Sequence, residues 1–165
     1  MRYLAWPLLA VLTLTACLDR TTGPVLDGSF EAFISGDFED ELSGSARFGI
    51  TPGQGFTISL APVEIYHMIG LGNPDDVRPE VGFYEVGDLE DDGFFALYVR
   101  DTFDGTISFV SHSGELDITT SSPDLLEGTL TFTAHGTPPM EPDVSLEVAV
   151  DVTFSAVCAS GARCE

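Results

Sequence analysis

At 165 residues the chain carries 27 acidic side chains against 6 arginines and no lysine, a formal net charge of −21. Such a field repels a phosphate backbone and an anionic bilayer surface alike, which excludes nucleic acid as a partner and leaves a covalent anchor as the route to a membrane. The length suits one domain able to bury on the order of two-thirds of its unfolded surface, and the wealth of Gly, Pro, Phe, Val and Thr favours strands and tight turns over helices.

In chain order, Met1 to Ala16 reads as an export signal. Arg2 supplies the positive end, and Leu4 to Leu14 an apolar core too short to span a bilayer, which takes about 20 residues. The segment closes on Leu14, Thr15, Ala16 and Cys17. This closely resembles the lipobox of bacterial lipoproteins. The resemblance implies that residues 1–16 are removed, that Cys17 becomes the diacylglyceryl-modified first residue, and that two or three acyl chains hold it where one would not suffice. An aspartate directly after the cysteine commonly retains lipoproteins of diderm bacteria at the inner membrane; here that position holds Leu18, so the resemblance implies the outer membrane. Residues 17–27 are then the lipidated cysteine and a polar tether punctuated by Gly23 and Pro24, reaching at most about 35 Å. Residues 28–165 form the domain.

Within it, apolar residues recur at every second position, as a sheet with one buried face requires. Phe30, Ala32 and Ile34 share one face of the first strand; Ala46, Phe48 and Ile50, and then Phe56, Ile58 and Leu60, do so in the next two. The acidic stretch of Asp37, Glu39, Asp40 and Glu41 reads as a loop between the first two strands. Short Gly-rich links make these three runs a meander of hairpins. Val63 to Leu71 fits a strand or a buried helical turn equally. A loop over 72–80, a strand over 81–87 and a turn over 88–93 follow. In the strand over 94–100, Phe95, Leu97 and Val99 share a face. A strand over 106–111 runs into a turn at Ser111, His112, Ser113 and Gly114, which opens a C-terminal block of near-unbroken alternation: 114–120, 128–134 and 143–156. The last of these would exceed 40 Å as a straight strand at about 3.3 Å per residue, so it is expected to bend or bulge.

About nine or ten strands result, with no capped helical stretch. The expected fold is all-β, a two-sheet antiparallel β-sandwich, with a small closed barrel of the lipocalin type as the alternative. The runs Gly114 to Thr119 and Gly128 to Ala134, with the alternating strand after them, resemble a loose group of uncharacterised all-β bacterial lipoproteins. That resemblance implies fold and location only.

Cys158 and Cys164, with five residues between them, are expected to form a disulfide in an oxidising envelope compartment. Asp88, Glu90 and Asp92, followed by Gly93, resemble the front of an EF-hand loop, but its twelfth position is Val99 in a strand, so that reading fails. A looser calcium site stays open, drawing on these three, on the 37–41 acids, or on Asp101 and Asp104; a solvated turn is the plainer reading. His67, His112 and His135 lack the spacing of a zinc motif and would have to converge in space. Ser111 and Ser113 flank His112, but neighbours along a strand point to opposite faces. Without a GxSxG elbow or a lysine for SxxK, no nucleophile motif stands out. The chain therefore reads as a non-enzymatic, lipid-anchored binding or structural module of the cell envelope, needing no cofactor and meeting a membrane only through Cys17. Two alternatives are a calcium-dependent carbohydrate- or protein-binding module and a small barrel carrying an apolar ligand.

Overall fold

The computed structural model describes residues 28–64, 66–90 and 92–165. Nine strands are present and, among the described residues, no helix: β1 (Ser29–Gly36), β2 (Asp40–Thr51), β3 (Gly55–Pro62), β4 (His67–Asn73), β5 (Gly82–Gly87), β6 (Phe94–Thr102), β7 (Gly105–Ser121), β8 (Leu125–Gly136) and β9 (Leu146–Cys158). The strands are hydrogen-bonded in the order β1-β2-β3-β4-β6-β5-β7-β8-β9, and β1 pairs with β9 from Ser29↔Ser155 to Gly36↔Val148. The all-β class and the strand number are as expected. The β1–β9 ladder closes the sheet into a barrel, the second of the two arrangements weighed, whose opposing walls press on one core as the faces of a sandwich do. Alternation along each strand is the same in either arrangement, so only this pairing decides between them.

The inward positions are the expected ones in most strands. Phe30, Ala32, Ile34, Ala46, Phe48, Ile50, Phe56, Ile58 and Leu60 are buried, as are Val148, Val150, Val152, Phe154 and Ala156 of β9. Aromatic rings fill the middle: Phe48 meets Phe56, Phe56 meets Phe94 edge-on at 6.3 Å, and Tyr98 stacks on Phe109 at 5.6 Å. In β6 the buried face is Phe94, Ala96 and Tyr98, while Phe95, Leu97 and Val99 are half-buried outside. Both faces of that strand are apolar, so parity alone could not choose. Tertiary contact does, because the Phe95 ring covers Gly72 of β4, where an added Cβ would come within 2.5 Å of it.

β9 keeps a continuous register with β1 and β8, without the bulge considered for it, while glycines at inward positions let strands approach closely. A Cβ at Gly128 would lie 2.1 Å from the Asp117 carbonyl oxygen, so only glycine lets β8 approach β7 there. Three further departures from the sequence reading, and the one ambiguity it left, share one cause, pairing that extends or interrupts a strand regardless of its local pattern. β2 begins at Asp40, inside the acidic stretch read as a loop, because Asp40 and Glu41 pair with Ile34 and Phe33. Of the ambiguous 63–71 segment, His67 onward forms strand β4, which runs on to Asn73 in the stretch read as loop and is held between β3 and β6. β9 begins at Leu146, and its alternation before that residue is not used for pairing. The expected turn at 111–114 lies inside the 17-residue β7, as a bulge between Ser111 and Ser113.

That bulge marks a handover. β7 pairs with β6 from Gly105 to Val110 and with β5 from Gly114 to Ile118. Between the two, the buried Ser111 hydroxyl donates to the Gly87 carbonyl at 2.6 Å and accepts from the Ala96 N–H at 2.9 Å. A side chain thus carries the hydrogen bonds that the ladder drops.

At the end where β1 starts, β2 would present an open edge. The end of β9 takes it first, Arg47↔Val157 and Phe48↔Cys158, and the tail follows, with Ile50 N–H donating to the Arg163 carbonyl at 2.7 Å. The Cys158–Cys164 disulfide, Cα atoms 6.1 Å apart, pins that tail, and Cys164 is buried in the core. Edges covered in this way cannot pair with other chains.

Candidate functional site

Cys17 and the signal peptide lie outside the described residues. Of the acidic candidates, Asp88, Glu90 and Asp92 are exposed between β5 and β6 and do not converge with one another. Several others act as acceptors within the fold. Asp37 accepts the Glu147 N–H at 2.7 Å, Asp101 accepts the Thr106 hydroxyl, and Asp40 takes Arg100 Nε at 3.1 Å. Asp76, not singled out in the sequence, accepts the Gly53 and Gly55 N–H groups of the β2–β3 turn.

Two side-chain clusters stand out, both near the barrel end opposite Gly28. The first closes the mouth. Phe38, in the β1–β2 connection, lies edge-on to Phe109, and the Arg100 guanidinium sits 4.0 Å above its ring. Asp40 joins Arg100 to the Tyr98 hydroxyl, which donates to it at 3.1 Å, and His67 Nδ1 lies 2.9 Å from the same hydroxyl. Burial, and then the Asp40 charge and hydrogen bond, push the Tyr98 phenol well above its usual range, with Arg100 pulling weakly the other way. A buried hydroxyl with partners on both sides is fully satisfied, so this cluster stoppers the barrel.

The second cluster lies on the outer wall, across three adjacent strands. His112 of β7 and His135 of β8 stack face to face, ring centroids 4.3 Å apart, and His135 Nδ1 is 3.6 Å from Glu147 Oε2 of β9. His135 and Glu147 are direct partners in the β8–β9 ladder. His112 reaches them because it is the extra residue of the bulge: Val110 pairs with His135, Ser111 with Ala134 and Ser113 with Thr133, leaving His112 without a partner of its own. A bulge also breaks strict alternation. Ser111 points inward as the alternation requires, yet Ser113 stays beside His112, its Oγ 3.3 Å from Nδ1 and 2.7 Å from the Thr133 hydroxyl. His112 Nε2 is buried and has no hydrogen-bond partner.

One ligand atom from each of His112, His135 and Glu147 lies within 4.8 Å of the others, the one such set among the described residues. His112 and His135 come together, whereas His67 belongs to the mouth, so the three histidines do not converge as a zinc site built on all of them would require. Glu147 had no local signal: with Asp151 it is one of two acidic residues on the polar side of β9. Compared with known proteins, the chain matches no protein-family model, no curated protein and no solved structure.

Proposed function

We propose that the protein is a lipid-anchored display module of the bacterial cell envelope, held through Cys17 at the outer membrane and working by binding or by structural contact rather than by catalysis. The lipobox-like Leu14 to Cys17 supports the anchor. The observation that carries the reading is the direction in which the domain is strung. The tether joins at Gly28, at the start of β1. The loops at the other end of the barrel lie roughly 25 Å away along that strand, at about 3.3 Å per residue, and expose Tyr66, Phe103 and Met140. Large apolar side chains at loop tips suit contact with another molecule. The barrel interior is filled with its own aromatic and aliphatic side chains, so encounter takes place on the outside. A closed, edge-covered barrel is also suited to remaining single while exposed in the envelope.

The test is fractionation in a diderm bacterium with mass spectrometry of the N-terminus. The wild-type chain is expected in the outer-membrane fraction with acylated Cys17, and a Cys17→Ser variant in soluble form. A bare thiol at Cys17 in the exported wild-type chain would overturn the reading.

A further inference from the structure

We infer that His112, His135 and Glu147 form a binding site for a divalent transition-metal ion, zinc in the first instance. The donor chemistry selects the class: two imidazoles and a carboxylate suit zinc or copper(II), whereas calcium demands six to eight oxygens. Three protein ligands leave one tetrahedral position for water or for a group on another molecule.

The geometry argues for a built site. The Ser113 hydroxyl sits at His112 Nδ1 and is itself held by Thr133, an outer partner that orients the ring. In the tautomer that donates Nδ1–H to Ser113, the lone pair falls on Nε2, the nitrogen that is buried and lacks a partner. An unpartnered buried nitrogen is costly, and a metal would satisfy it. The other two ligands are free to adjust: the side chains of His135 and Glu147 are 49% and 63% exposed. Tetrahedral zinc, with bonds near 2.0–2.1 Å, requires ligand atoms about 3.3 Å apart. The stacked rings aim their lone pairs in nearly parallel planes, so on binding the exposed His135 ring would turn out of the stack toward an ion held at His112, with Glu147 following it. The backbone beneath is rigid, because His135 and Glu147 are ladder partners and Asp37 holds the Glu147 N–H. A chain of net charge −21 also concentrates cations at its surface.

The test is calorimetric titration of the full chain in detergent with Zn2+, alongside NMR of its histidine side chains. One equivalent should bind saturably, shifting the His112 and His135 ring signals and leaving His67 in place. His135→Gln and Glu147→Gln should each weaken binding by more than the roughly 10–100-fold that loss of an outer-shell partner costs, and Ser113→Ala should fall within that range. A triple change of Asp88, Glu90 and Asp92 to their amides should leave zinc affinity unaltered, and millimolar Ca2+ should not compete. Absence of saturable binding overturns the inference. So does undiminished binding when both His135 and Glu147 are replaced; these exposed positions carry the test even if a His112→Gln chain fails to fold.

Discussion

Replacing Ser111 by alanine tests whether one hydroxyl holds together the handover from β5 to β6. The substitution removes two hydrogen bonds, to the Gly87 carbonyl and from the Ala96 N–H, at a residue with 0% exposure. Two ordinary bonds contribute about 0.5–1.5 kcal/mol each, and a donor left buried without a partner costs about 1–3 kcal/mol. The Gly87 carbonyl is only partly buried and can turn to water, whereas the Ala96 N–H cannot. The expected loss is therefore about 2–4 kcal/mol, a large share of the ~5–15 kcal/mol that stabilises a domain. Urea unfolding followed by circular dichroism should show a lowered midpoint with an unchanged slope. Ser113→Ala, whose partners lie on the exposed outer face, should change stability by no more than about 0.5 kcal/mol. A Ser111→Ala loss below about 1 kcal/mol would refute the reasoning, since the ladder would then be carrying the strand junction without help.

Because the Tyr98 phenol is raised in the folded state, the unfolded chain releases that proton first. Stability is thus fully present below the ordinary tyrosine value of about 10 and declines above it, with a limiting slope near 1.4 kcal/mol per pH unit. Denaturation curves between neutral and strongly alkaline pH should show this decline in the wild-type chain and a shallower one in Tyr98→Phe. Reducing the Cys158–Cys164 disulfide should cost about 2 kcal/mol for so short a loop. Hydrogen exchange should locate the damage at Ile50, whose N–H is bonded to the Arg163 carbonyl of the tail; uniform loosening of the barrel instead would contradict the edge-covering role.

How much could be read in advance depended on the range of the interaction. In β1, β3 and β9 the period-two pattern already separated inside from outside, because one face of each strand is apolar and the other is not. In β6, apolar on both faces, the alternation grouped Phe95, Leu97 and Val99 but could not say which face turns inward, since burial there is settled by Phe95 lying over Gly72. The strand start at Asp40 and the continuity of β7 through Ser111 to Ser113 were equally illegible, as each depends on a partner strand rather than on local residues. Neither cluster could be assembled from spacing: Tyr98 meets Asp40 across the mouth, and His112 meets His135 only through the bulge.

By itself the sequence determined the all-β class, the inward set of most strands, the Cys158–Cys164 pair and the strongly acidic charge balance, because alternation, cysteine proximity and charge act over a few residues or over the whole chain at once. Tertiary structure alone decided that the sheet closes through β1 and β9, and that a histidine left over by a bulge comes to lie against a second histidine and a glutamate. Both outcomes follow from register between strands distant in sequence, a quantity fixed by how side chains pack across the finished barrel and not by any one segment of it.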